Sequence, residues 1–132
     1  MKITQTILDE LTEQAKVSPR LRMNLDLRDS ETEQSQRMLN AIEPGSVLPI
    51  HRHQHTSELM VCLRGRLQVE FYNELEKKCT DSFIIEPNGK NMAVSIPIGV
   101  WHTVHALDSG TVILEMKAGA YDSLSPNDIF KK

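Results

Sequence analysis

The sequence has little cysteine, which limits how the chain can be cross-linked. Cys62 and Cys79 are its two cysteines, and they are too far apart to form a CxxC pair. Two isolated thiols are typical of reduced cysteines in a reducing compartment. Because Cys62 lies in an apolar run, we expect it to be a small core residue rather than a ligand or a nucleophile.

The sequence also lacks a long apolar run, a signal-peptide pattern and a strong excess of one charge. Its 15 Lys and Arg residues nearly balance 18 Asp and Glu residues, for a formal net charge of -3. This mild acidity gives no electrostatic reason to expect a nucleic-acid or anionic-membrane partner. No stretch is long enough to span a bilayer. We therefore expect a cytoplasmic protein whose 132 residues suit one domain with a real core.

The N-terminal residues predict one amphipathic helix over Ile3–Lys16. Apolar residues recur every three to four positions, with acidic and amide side chains on the other side. Ser18 and Pro19 end this helix, because the residue before proline disfavours the helical region. The apolar face must cover something, either the outside of a sheet or a second subunit.

The next segment, Arg20–Arg28, alternates apolar and polar residues, as an edge strand or an extended arm does. Two orientations remain open. The arginines can point to solvent from a surface strand. Alternatively, Arg20 or Arg22 can reach a pocket and bind an anion, since guanidinium offers phosphate or carboxylate a planar bidentate fork.

The rest of the chain is a series of short apolar or alternating runs separated by Gly, Pro and Asn turns, which indicates an all-β sandwich or barrel. Within this series, Asp108-Ser109-Gly110 lies between two apolar runs and predicts a hairpin. We expect residues 1–35 to form a helix and arm packed on the barrel, residues 36–118 to form the barrel, and residues 119–132 to form a C-terminal tail.

Metal chemistry is indicated by the stretch from Gly45 to Gly65 and by one later histidine. His51 and His53 are two residues apart, so on a strand both rings point to the same face. Glu58 begins the next apolar run, and His102 follows a Pro–Gly turn. If these elements lie side by side, three imidazoles and one carboxylate converge around one divalent metal ion. This donor set suits Zn, Fe, Ni or Mn and does not choose among them.

Strand alternation also assigns the neighbours of these residues. Arg52 must point away from the site, while Met60 and Cys62 follow Glu58 on the inward side and form an apolar floor.

The remaining histidines and the single tryptophan are assigned from strand parity and from their places in the chain. His105 is an odd number of residues from His102, so it faces the opposite side of a regular strand. His55 lies in a connection at the pocket rim and is an alternative to His53 as a ligand. Trp101 packs beside the site or stacks on a substrate.

The spacing Gly-x5-His-x-His-x4-Glu-x6-Gly, followed by Pro-x-Gly-x2-His, resembles the two signature motifs of the cupin superfamily. The resemblance implies a cupin double-stranded β-helix, or jelly roll, here with a short N-terminal α-helix. It also implies that His51, His53, Glu58 and His102 are the metal ligands. The second motif departs from many cupins in a longer spacing before its proline and in Ala106, where asparagine is common.

Beyond the motifs, nearly the whole chain resembles the WbuC family of small cupin-fold metalloproteins. The segments that carry this resemblance are Ser18–Arg22, Arg37–Gly45, His51–His53, Leu63–Gly65, Trp101–Thr103 and Leu114–Asp122. The resemblance implies a bacterial metal-binding cupin that is often associated with surface-polysaccharide gene clusters, and it implies no defined reaction. Many relatives carry a lysine where this chain has Ser57.

Two classes of function follow. One is a metal-dependent enzyme on a small polar substrate such as a sugar or nucleotide sugar, of isomerase, epimerase or lyase type, or alternatively an Fe(II)-dependent dioxygenase. The other is a noncatalytic metal or sugar-binding module. No catalytic residue is assigned, and the expected substrate contacts are Arg20, Arg22, His55 and Trp101. Apolar residues on both faces of the strand that begins at Glu58 favour a homodimer.

Overall fold

The computed structural model describes residues 1–119 and 124–130. Within them, helix α1 (Gln5–Val17) is followed by eight strands and a 3-10 turn at Pro126–Asp128. The strands are β1 Arg22–Asp26, β2 Ser35–Ile42, β3 Glu58–Arg64, β4 Leu67–Asn73, β5 Lys78–Ile85, β6 Ala93–Ile96, β7 Trp101–Ala106 and β8 Val112–Ala118. Parts of the predicted tail and of the WbuC-like segment fall at 120–123 and 131–132, outside the described residues.

The strands form two antiparallel sheets packed face to face, as in a jelly roll. The larger sheet has the order β1-β2-β8-β3-β6 and the smaller sheet has the order β5-β4-β7. Strands β7 and β8 therefore belong to different sheets, and the hairpin predicted between them is wrong. The chain crosses between the sheets there, and the buried Glu43 carboxylate accepts hydrogen bonds from Ser109 Oγ (2.5 Å) and the Gly110 amide (2.7 Å).

Helix α1 covers the outer face of the larger sheet. It begins after Thr4, whose hydroxyl oxygen accepts a hydrogen bond from the Ile7 amide (3.3 Å). Its buried residues, such as Leu8 and Leu11, pack with Leu39 of β2. The predicted helix is confirmed, and it covers a sheet of its own chain. At 13 residues it is too short to span a bilayer. Among the described residues, no helix is both long enough and apolar enough to cross a membrane.

Strand β1 is an edge strand whose apolar residues lie under the helix. Met23 and Leu25 pack into the cluster beneath α1. Because alternate side chains of a strand point to opposite faces, Arg22 and Asn24 face the space between the two sheets. Arg20 borders the same space from the segment before β1. Arg22 therefore borders this space from the strand, whereas Arg20 borders it as an exposed residue.

The space between the sheets is apolar over much of its length. Its fully buried residues come from both sheets and include Ile42, Leu67, Val69, Ile85 and Ile113. Met60 and Cys62 extend this cluster, with exposed fractions of 3% each, so the predicted apolar floor is confirmed. Burial raises the pKa of the Cys62 thiol to about 11, so this cysteine is a protonated core residue.

Candidate metal centre and its cavity

Three imidazoles meet where the apolar interior ends. One ring nitrogen from each of His51, His53 and His102 lies within 4.8 Å of the other two. Main-chain pairing places them, since His51 and His102 exchange two backbone hydrogen bonds (3.0 and 2.8 Å) and the Gly99 amide donates to the His53 carbonyl (2.8 Å). The structure therefore brings together the three histidines that the motif spacing singles out.

The outer nitrogens of two rings are fixed by hydrogen bonds to the main chain. The Nδ1 atoms of His51 and His102 each lie 3.0 Å from a carbonyl oxygen two residues earlier, those of Pro49 and Val100. A protonated Nδ1 donates to the carbonyl and leaves Nε2 with a free lone pair, which is the arrangement of metal-binding histidines. Burial, with the nearby His102 ring, lowers the pKa of His51 to about 4. Burial lowers the pKa of His102 as well, so both rings are neutral near pH 7.

One of these lone pairs has no partner in the described part of the chain. His102 is fully buried, and its Nε2 has no hydrogen-bond partner there. An unsatisfied buried polar atom is costly and rare in native proteins. A metal ion shared with the other two imidazoles would satisfy it, so the residues present fit the divalent ion that the donor set indicates.

Glu58 adds a carboxylate to the cluster. It is 4% exposed, and its Oε2 lies 2.8 Å from His53 Nε2. Burial opposes its ionisation, but the hydrogen bond from His53 and the neighbouring imidazoles outweigh burial and hold the pKa of Glu58 below its usual range. His53 Nε2 and Glu58 Oε2 share one proton in this hydrogen bond, and each atom can bind a metal ion once that proton is lost. His51, His53 and His102 form the cluster that could hold the ion, and Glu58, bonded to His53, is the carboxylate that we expect as a fourth ligand.

A cavity of about 330 Å³ opens onto His51, His53 and Glu58 and has Arg20 and Arg22 in its wall. Its other polar lining residues are Asn24, Asn40, Glu115 and Lys117. Within the described ranges, neither arginine forms an ion pair with a carboxylate. Arg22 Nη1 donates instead to the Val47 carbonyl (3.1 Å) and to Ser46 Oγ (3.3 Å). Both guanidinium groups are thus available to an anion in the cavity.

Glu115 and Lys117 of β8 are cavity residues that the sequence interpretation missed. Asn40 Nδ2 donates to Glu115 Oε1 at 3.1 Å. Burial and the nearby negative charge of Glu58 raise the pKa of Glu115 to about 7, against the hydrogen bond from Asn40. A carboxyl group in this range can hold or release a proton near neutral pH. The available sequence signal was the Glu-x-Lys alternation on the last strand, which puts both side chains on one face.

Two residues expected to contact substrate lie elsewhere. Trp101 is 6% exposed and packs outside the cavity, with its ring under the Arg52 guanidinium (4.5 Å) and 5.4 Å from the Phe130 ring. Because Trp101 and His102 are consecutive on a strand, they face opposite ways, so substrate stacking by Trp101 is not supported. His55 is exposed and borders a neighbouring cavity of about 210 Å³ at the rim, outside the three-histidine cluster.

His105 lies on the outside of the smaller sheet, as its parity predicts. It is exposed, and its Nε2 is 2.6 Å from Glu70 Oε1. It is therefore remote from the other imidazoles and provides a natural control for them.

Residues 3–84 match the family described as DUF6016, a domain of unknown function. Because the match spans more than half of the chain, the chain belongs to that family. No curated protein matches the sequence.

Solved structures with the same fold include several cupins. KdgF from Halomonas sp. superposes with a TM-score of 0.63 at 15% identity, over 80% of this chain and 86% of that chain. The capsular polysaccharide assembling protein CapF from Staphylococcus aureus gives 0.64 at 18% identity, over 86% of this chain and 32% of that one. The cupin domain of Schizosaccharomyces pombe Cnp3 gives 0.56 at 14% identity, over 76% and 65%. At such identities the likeness shows the fold alone, which is the cupin jelly roll, and this chain spans about a third of CapF.

Proposed function

We propose that this cupin binds one divalent metal ion and acts on a small anionic substrate, such as a phosphorylated sugar or nucleotide sugar. The observation that carries the proposal is that His51 and His53, two of the three clustered imidazoles, open together with Glu58 onto a cavity with Arg20 and Arg22 in its wall. When bound, a divalent ion would polarise a carbonyl or hydroxyl group of the substrate. The reaction class that fits this chemistry is isomerisation, epimerisation or elimination.

The chain's own residues supply the other requirements of such a site. Arg20 and Arg22 bind the anionic group, because a desolvated guanidinium forms charge-assisted hydrogen bonds with phosphate or carboxylate. Glu115 holds or accepts a proton in the same cavity, beside Lys117. Met60 closes the apolar side and limits access of water.

A role in surface-polysaccharide biosynthesis is the physiological setting that we favour. The WbuC resemblance of the sequence supports it, and so does the likeness in fold to CapF, which is described as a capsular polysaccharide assembling protein. Neither supplies the substrate, so the proposal is tested on binding.

The first experiment measures the metal content of the purified protein. We expect about one divalent ion per chain, and none in the double variant His51→Ala/His102→Ala. His105→Ala removes an exposed imidazole on the outside of the smaller sheet and should keep full metal content. Retention of metal by the double variant would refute the assignment.

The second experiment titrates the metal-loaded protein with nucleotide sugars, sugar phosphates and the matching neutral sugars. The proposal expects the phosphorylated compounds to bind and the neutral sugars to bind at least tenfold more weakly. Equal affinity for neutral and phosphorylated sugars would exclude an anionic substrate and leave only the metal site.

A further inference from the structure

The segment that carries His51 and His53 depends on contacts with the C-terminal residues. It is not a regular strand, and its β-pairing within the described residues consists of isolated bridges. His51 pairs with His102 on one side and with Ile129 on the other. Next to this pair, the Phe130 amide donates to the Ile50 carbonyl at 2.7 Å. Residues 128–130, which begin at the last residue of the 3-10 turn, therefore pair with this segment on the side away from His102. We call them the C-terminal strap.

Arg52, the residue between the two histidines, is the main side chain that contacts the strap. Its amide donates to the Asp128 carbonyl (3.0 Å), and its Nε lies 3.2 Å from Asp128 Oδ1. Its Nη2 donates to the Asn127 carbonyl (3.3 Å), and the guanidinium carbon lies 4.5 Å from the Trp101 ring centroid. The side chains of Arg52 and Asp128 are 23% and 17% exposed, so this pair is better shielded than an ordinary surface ion pair.

Asp128 contacts both neighbours of His53. The same Oδ1 atom that binds Arg52 Nε also accepts a hydrogen bond from Gln54 Nε2. One carboxylate thus holds the residues before and after the histidine. Because these residues point away from the site, the bonds fix the backbone whose alternate side chain points into it.

We propose that Asp128 is a positioning residue of the candidate metal centre, acting through Arg52 and Gln54 to hold His51 and His53 in place for the ion. This inference rests on the proposed metal-binding function. Groups that orient metal ligands from behind commonly change metal affinity by about 10–100-fold when they are removed. Asp128 orients its two histidines through the backbone instead of through their ring nitrogens.

The test compares Asp128→Ala with Asp108→Ala. Asp108 also pairs with an arginine, Arg66 (2.9 and 3.0 Å). However, Asp108 follows the C-terminal end of β7, whereas His102 lies near the N-terminal end of that strand. Metal affinity is measured by competition with a chelator, coordination is followed by the visible spectrum of the Co²⁺-loaded protein, and the melting temperature is measured without metal. We expect Asp128→Ala to bind metal about 10–100-fold more weakly with an altered Co²⁺ spectrum, and Asp108→Ala to stay within about twofold of wild type with an unchanged spectrum.

Asp128→Asn keeps an oxygen that can accept from Gln54 and Arg52, so we expect partial rescue with about a threefold to tenfold loss. This variant carries the test if Asp128→Ala does not fold. Wild-type affinity and an unchanged Co²⁺ spectrum in the folded Asp128 variants would overturn the inference while leaving the metal site intact. An equal loss in Asp108→Ala would overturn it too, because the effect would then be general destabilisation. If the wild-type protein takes up no metal, the proposed function fails and this inference falls with it.

Discussion

The two ends of the barrel interior are built from the same strands and hold opposite chemistry. On β8, Ile113 is fully buried in the apolar cluster, whereas Glu115 and Lys117, on the same face, line the metal cavity. On β3, Cys62 lies in the apolar cluster and Glu58 lies at the metal site. The alternation of a strand decides on which face a side chain lies. The position of the residue along the strand decides whether that side chain packs in the core or lines the site.

This comparison predicts that equal truncations at the two ends have unequal effects. Ile113→Ala should lower the free energy of unfolding by about 2–5 kcal/mol, since it leaves a cavity in a packed core. At pH 5 Glu115 is still protonated in the folded protein because its pKa is raised to about 7. At that pH Glu115→Ala removes a side chain from a cavity that already exists, so it should cost less than about 1 kcal/mol. Urea unfolding of the metal-free proteins measures both. Similar losses at the two positions would contradict the division of the interior into a packed end and a site end.

The second prediction uses the charge of Glu115. Its pKa is raised from 4.5 to about 7 in the folded protein, so between these values the folded state binds a proton that the unfolded state has released. Stability contributed by this group is therefore lost as pH rises from about 4.5 to about 7, by as much as about 3 kcal/mol. Glu115→Gln cannot ionise, so the variant does not lose stability through this group as pH rises. The stability of the variant relative to wild type should rise over this pH window and level off above it, measured by urea unfolding without metal; a constant difference from pH 5 to pH 8 would contradict it.

The third prediction concerns the arginines at the site end. Arg22→Ala should weaken binding of a phosphorylated ligand by roughly 1.5–3 kcal/mol, and Arg22→Lys by part of that, because lysine keeps the charge and loses the planar fork. Arg28→Lys is the matched control for Arg22→Lys. The Arg28 guanidinium lies 2.8 Å from the Asp26 carboxylate, and Arg28 does not line this cavity. Calorimetric titration checks all three variants. Unchanged affinity in Arg22→Ala would remove Arg22 from the anion site.

The sequence predicted the donor groups because their spacing is local. His51 and His53 are two residues apart. Glu58 begins β3 and His102 is the second residue of β7, each after a turn or short connection, so each could be assigned from its own neighbourhood. Glu115 could not, because its place beside Glu58 depends on β8 pairing between β2 and β3. That strand order results from the packing of the whole barrel, and no local pattern in the sequence of β8 indicates which strands it pairs with.

The orientation of β1 was ambiguous for a related reason. Its alternation separates an arginine face from a face with Met23 and Leu25, but alternation cannot say which face is covered by another element. Helix α1 decides this by packing on the apolar face. The hairpin at Asp108–Gly110 was predicted wrongly because a turn pattern does not reveal that the chain leaves one sheet for the other.

The smallest expected effect concerns the outer face of β3, where the helix covers Leu63 but Leu59 is 38% exposed. The homodimer expected from this strand stays a prediction. We expect a dimer by light scattering at micromolar concentration, and Leu59→Glu should weaken it by introducing a charge into an apolar contact. A monomeric wild-type protein would contradict the dimer and leave the metal site unaffected.

We propose that His51, His53, Glu58 and His102 hold one divalent metal ion. Anomalous diffraction from crystals of the metal-loaded protein, collected at the absorption edge of the ion found in the protein, tests it directly. We expect one strong peak about 2.0–2.3 Å from a nitrogen of each imidazole and from a Glu58 oxygen. A peak elsewhere on the chain, or no peak with all four side chains ordered, would contradict it.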